Sequence, residues 1–157
     1  MKKVSVKTEK VLVVYNLLNV AKLGALEDAD KFKVIKILRV LKPVATSFDD
    51  FREDAVKKLK PEGYDEKILK WNECREKIQL GVKPEKYPMS GDEFVDMTYH
   101  VINPFNTALK NVTESEAKKE VKLELDPITE DALLKLAGTN DWNVGQIDEV
   151  SELVCKQ

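Results

Sequence analysis

Between Val34 and Leu59 the chain sets Val34, Leu38, Leu41, Ala45, Phe48, Ala55 and Leu59 on a near-heptad track, with Phe51 or Arg52 at the position that completes it. Apolar residues three and four apart share one face of a helix, whereas a strand would need them two apart. The track crosses Pro43, and an interior proline removes a hydrogen bond and crowds the preceding turn, so either the helix kinks or two helices abut. Because the apolar phase continues past Pro43, the reading is one kinked helix, capped by Asp28 or Asp30 and ended by Lys60-Pro61-Glu62-Gly63. A long helix with one apolar face cannot stand alone, and the rest of the chain must cover it.

The flanking segments carry suitable periods. Val4 to Lys7 alternates, with Val4 and Val6 on one face, and reads as a short strand. Thr8 suits an N-cap, Leu12, Tyr15 or Val14, Leu18 and Ala21 form the apolar face of a first helix, and Gly24 offers a stop. After the long helix, Asp65 opens a third, with Ile68, Trp71 or Leu69, and Ile78 inward and Gly81 at its end. Pro84 and Pro88 mark a connector. Ser90-Gly91-Asp92-Glu93 has the form of a capping box for a fourth helix, with Phe94, Met97 or Val95, Val101, Phe105, and Leu109 or Ala108 inward and Pro104 as a second interior kink. Glu120 to Leu125 alternates strictly, and Asp126-Pro127 closes it as a strand. Thr129 caps a short helix ending at Gly138. Asn143 with Gln146 caps a last one, carrying Ile147, Val150 or Val154, and Leu153. An isolated short strand leaves its apolar face unpaired, so the two strands are expected to pair with each other. The fold class is α+β, mostly α: about six helices and a small two-stranded antiparallel sheet joining N- and C-terminal segments.

At 157 residues the chain is the length of one ordinary domain, and it is read as a single helical domain over 1–157. Its longest apolar run, Val11 to Val14, falls far short of the roughly 20 residues that cross a bilayer, so no membrane association is expected. The opening residues lack an apolar signal core because charge returns at Lys7, Glu9 and Lys10, and secretion is not expected. Cys74 and Cys155 belong to no paired motif and read as two reduced thiols, and without export the sequon Asn111-Val112-Thr113 carries no meaning.

Little in the chain points to catalysis. His100 is the only histidine; Asp96, one turn earlier, could share a metal with it, but two ligands make no zinc site and a solvated side chain is the better reading. Cys74 lies beside Glu73, Arg75 and Glu76 with no base at motif spacing. Asp28 with Asp30, and Asp49 and Asp50 with Glu53 and Asp54, lie among lysines on amphipathic helices and read as solvated faces. The six glycines form no phosphate loop. No catalytic, cofactor-binding or metal-binding residue is assigned, and no cofactor is expected.

Charge is more informative. Residues 1–60 hold 14 Lys and Arg against 8 Asp and Glu, and residues 61–157 hold 12 against 20. Lys33, Lys36, Arg39 and Lys42 recur every three residues along the long helix, a stripe that could meet an acidic partner or nucleic-acid phosphates. The sequence pI of about 5.6 and the neighbouring carboxylates weigh against nucleic acid. A chain polarised in this way could also stack head to tail with its own copies. Trp142 lies in a loop, where aromatic anchors are enriched at interfaces, although folding back over the last helix is the reading preferred for it.

The order of these features resembles a loose family of small uncharacterised bacteriophage and prophage late-gene proteins. The resemblance rests on the opening strand with Tyr15-Asn16-Leu17-Leu18, on Lys33 to Leu41 continuing into Phe48-Asp49-Asp50-Phe51-Arg52, and on Val121 to Leu125 with Leu133-Leu134-Lys135-Leu136. It covers the two ends of the chain; residues 61–119 depart from it and read as a family-specific helical insertion. The resemblance implies no catalytic residues. It implies a viral protein that acts by binding, located in the host cytoplasm or the virion. The expected function is therefore a non-enzymatic bacteriophage or prophage component of structure, assembly or protein interaction. Its candidate partner-binding residues are Lys33, Lys36, Arg39, Lys42 and Trp142, and its partners other phage or host proteins or further copies of itself. A small nucleic-acid-associated phage regulatory protein is the alternative.

Overall fold

The computed structural model describes residues 1–156. In chain order the elements are β1 (Lys2–Lys7), α1 (Thr8–Asn19), α2 (Asp28–Leu59), α3 (Tyr64–Gln79), a 3-10 turn (Pro84–Lys86), α4 (Gly91–Asp96), a π-helical stretch (Met97–Ile102), α5 (Asn103–Ala117), β2 (Glu120–Leu125), α6 (Glu130–Thr139) and α7 (Val144–Val154). With α4, the π stretch and α5 running on as one helix, this is the expected α+β chain of six helices and one two-stranded sheet. Residues 1–51 with 115–157 form one compact unit and residues 52–114 another, the boundaries falling inside α2 and α5.

The first unit is built on the sheet. β1 and β2 pair antiparallel with Lys2 opposite Leu125, Val4 opposite Leu123 and Val6 opposite Val121 on the inner face. Lys3 opposite Glu124 and Lys7 opposite Glu120 bring unlike charges together on the outer face, the favourable cross-strand arrangement. The core beneath is Val11, Val14 and Leu18 of α1, Val34, Ile37 and Leu41 of α2, Leu125 and Ile128 around the end of β2, and Leu133, Leu136, Val150, Leu153 and Val154 of α6 and α7. In α1 the alternative Val14 is the inward residue, and Val11 joins it where Leu12 was expected. In α2 the buried set gains Ile37, while Leu38 and Phe48 are half-buried margins. The helix continues through Pro43 without a break, and Pro43 faces solvent.

Two local expectations in this unit are corrected. Thr8 is not an N-cap: it is the first helical residue, buried, and both its main-chain N–H and its hydroxyl donate to the Lys119 carbonyl at 2.9 Å. That contact from the far end of the chain outcompetes local capping. Helix α1 stops at Asn19, well before Gly24. Its following loop is held instead by Asn140, whose side-chain oxygen accepts from Lys22 N–H at 2.7 Å while its amide donates to the Lys22 carbonyl at 3.0 Å. Other caps form as read: Thr129 accepts from Ala132 N–H, and Asn143 and Gln146 make a reciprocal capping box. At the far end of α7 the Lys2 ammonium donates to the Glu152 and Cys155 carbonyls at 2.8 Å each, a cation where the helix dipole favours one.

In the second unit Cys74, Met97, Ile102, Phe105 and Ala55 are the buried side chains. Ile68 and Trp71 are half-buried, Leu69, the alternative to Trp71, is exposed, and so is Ile78, which was read as inward; Cys74 is the buried residue of α3. Gly81 ends α3 with φ 72°, and the Val82 and Gly81 N–H groups return to the Lys77 and Ile78 carbonyls, a C-terminal turn that needs a residue without Cβ. Ser90 accepts from Glu93 N–H at 3.1 Å, but only this half of the expected capping box is formed. Before Pro104 the helix widens: Asn103 N–H donates five residues back, to Thr98. The wider turn relieves the clash a proline ring would make with the carbonyl four residues earlier. It also advances the phase, so Ile102 is buried and Val101 only partly.

Candidate interaction surface

On a helix, each residue turns about 100° from the last, so Val34, Ile37 and Leu41 define the inward side of α2 and fix what the opposite side carries. That opposite side is a ridge of Phe32, Lys36, Arg39 and Pro43, spaced four, three and four, with Ile35 and Lys42 along one margin; all six are exposed. Phe32 keeps 63% of its surface in solvent and Ile35 37%. Around Pro43 the ridge dips into an open depression of about 520 Å³ lined by Arg39, Lys42, Pro43, Thr46, Ser47 and Asp50. Proline has no N–H to give, so the Arg39 carbonyl lacks its helical donor within this depression.

A repeat of three drifts backwards around a helix by about 60° a step, so Lys33 and Lys42 end about 180° apart. Structure and spacing agree on the consequence. Lys36, Arg39 and Lys42 stand together on the outer side, and Lys33 lies at the other margin, half-buried, with its ammonium 4.0 Å from Asp126. Trp142 is half-buried against the first unit's core, its N–H donating to the Ala137 carbonyl across Asp141, which takes a left-handed φ of 53°. The structure thus brings three of the five candidate residues together. It adds Phe32 and Ile35, which the sequence reading passed over although both fall opposite the apolar track.

The cations of the N-terminal segment differ in how they are answered. Lys10 pairs with Glu149 at 3.7 Å and with Glu152, Lys31 with Asp28 at 3.6 Å, and Lys3 and Lys7 face Glu124 and Glu120 across the sheet. Among the described residues no carboxylate pairs with Lys36, Arg39 or Lys42. The polarity seen along the sequence does not survive folding. The first unit contains 15 Lys and Arg against 16 Asp and Glu, and the second 11 against 12, because the basic N-terminal segment folds onto the acidic C-terminal one. A head-to-tail stack driven by opposite charge on two halves therefore loses its premise.

The remaining candidates for chemistry are dispersed. His100 and Asp96 are both exposed, and among the described residues no three His, Cys, Asp or Glu side chains stand together as metal ligands would. Both thiols are buried, and burial pushes each above its ordinary value of 9.0, away from thiolate reactivity. Trp71 stacks on Phe94 at 5.3 Å, lies under the Arg75 guanidinium and gives its indole N–H to Thr98 at 2.8 Å, so its ring and donor are engaged within the second unit. No described helix is long and apolar enough to cross a membrane. The fold and this surface define a mostly helical α+β protein with a basic, partly apolar helix face. No family model, no curated protein and no solved structure matches the chain.

Proposed function

We propose that the chain is a non-enzymatic interaction component of a bacteriophage or prophage assembly, with the outer face of α2 as its contact surface. One observation carries the reading: Lys36, Arg39 and Lys42 stand without ion pairs on one helix face beside exposed Phe32 and Ile35, whereas Lys31 and Lys33 of the same helix are each within reach of a carboxylate. A fold gains little from an isolated surface charge, whereas unanswered cations flanking apolar surface suit a partner that brings carboxylates. The phage setting is supported by the resemblance of the chain's two ends to small late-gene proteins. The test is to purify particles and assembly intermediates from a host producing the protein and to measure its copy number by mass spectrometry. Stoichiometric incorporation that is lost on K36E/R39E is the expected result. A protein absent from every particle and intermediate, and monomeric throughout, overturns the proposal.

The same three cations also favour a second reading, a nucleic-acid-associated regulator. Phosphate contacts would weaken steeply as salt rises. A mobility shift with duplex DNA or RNA at low salt, abolished at high salt and by K36E/R39E, would establish this reading, and the absence of any shift at low salt would remove it.

A further inference from the structure

We infer that the α2 face between Phe32 and Pro43 docks a short acidic amphipathic helix of a partner protein, an inference that rests on the interaction reading above. The apolar side of the incoming helix covers Phe32 and Ile35, and its carboxylates meet Lys36, Arg39 and Lys42.

Three features select this occupant. Exposed apolar Phe32 and Ile35 lead directly into Lys36, Arg39 and Lys42 along one face, so the complement is a surface that carries apolar groups next to carboxylates. The ridge is short. From Phe32 to Pro43 it runs about 16 Å, and it is closed by Asp28 at one end and by Asp50 at the other. A polyanion such as nucleic acid would be carried onto those carboxylates, whereas about three turns of helix fit between them. The main chain of α2 is hydrogen-bonded within the helix apart from the Arg39 carbonyl, so it offers no edge for an added strand, and helix-on-helix packing of ridges into grooves is what it can accept.

The probe is a synthetic fluorescein-labelled peptide of about twelve residues with leucines on one helical face and glutamates flanking them. Its binding to the full chain is followed by fluorescence anisotropy. Saturable binding is expected, weakened on the order of tenfold by Phe32→Ser, which removes an anchor from the ridge, and by more by K36E/R39E. A peptide with lysine in place of each glutamate should bind K36E/R39E and not the unaltered protein. All these positions face solvent, and far-UV circular dichroism identifies any variant that has lost its fold. The inference is overturned if the acidic peptide fails to bind, if Phe32→Ser leaves binding unchanged, if a duplex DNA oligomer displaces the peptide at equal charge, or if sedimentation shows the face occupied by a second copy. Loss of particle incorporation in K36E/R39E alongside a peptide that does not bind would leave the assembly reading standing and remove only the helical partner. Peptide binding by a protein that never enters particles would do the reverse.

Discussion

Asn140 and the two cysteines show how single side chains act at a distance in this fold. Asn140 closes a pair of hydrogen bonds onto the main chain of Lys22 and a third onto the Leu136 carbonyl, so one amide holds both the loop after α1 and the end of α6. Replacing it with alanine should cost about 1–2 kcal/mol, read as a lower urea midpoint with an unchanged slope. For the thiols the direction of the shift fixes the pH response. Cys74 and Cys155 are raised above 9.0 by burial, so the folded protein retains protons that the unfolded chain releases. Their contribution is complete below about pH 9 and is lost as pH climbs through the raised folded values. Urea unfolding at pH 7.5 and pH 10 should therefore show a loss of stability that is smaller in C74A/C155A, and a thiol reagent at pH 8 should label neither cysteine until denaturant is added. Rapid labelling of the folded protein would contradict their burial.

At the scale of elements, α2 is where local preference and tertiary demand oppose each other. Its apolar phase runs unbroken through Pro43, and burial of Leu41 and Ala45 on either side offsets what the proline removes. Pro43 itself is exposed, so Pro43→Ala restores a donor to the Arg39 carbonyl without disturbing a packed side chain. It should raise stability by roughly 1–3 kcal/mol in chemical denaturation. A fall instead would mean that the proline ring is needed to seat Val44 and Ala45. The second proline-bearing helix resolves the same opposition differently, by widening into a π turn before Pro104. A repeat counted along the sequence at a constant 3.6 could not register that extra residue, which is why Val101 was expected inward and Ile102 is the side chain buried. The caps were more legible, since Thr129, Asn143 and Gln146 act on main-chain groups within three residues. Thr8, with the same credentials, was drawn away by Lys119.

For the whole molecule, stability is expected to be uneven. The first unit draws α1, α2, β2, α6 and α7 onto one continuous apolar cluster, so amides of α1 and α7 should exchange with solvent most slowly. The connector from Val82 to Ser90, mostly exposed and with no helix beyond a single 3-10 turn, should exchange fastest; mass-resolved hydrogen exchange checks the ordering. The sequence by itself determined the strands, the helices and the antiparallel pairing of β1 with β2, because periods of two and 3.6 and the need to cover two small apolar faces are local facts of the chain. It also held the outer position of Phe32, Ile35, Lys36 and Arg39, since facing away from an apolar track is arithmetic on one helix. Only the tertiary structure decided which cations remain unanswered. The acidic groups that meet Lys10 and Lys33, and the carbonyls that take Lys2 and Thr8, lie roughly 90 to 150 residues further along. Charge pairing depends on distance through space, and the sequence orders residues only along the chain.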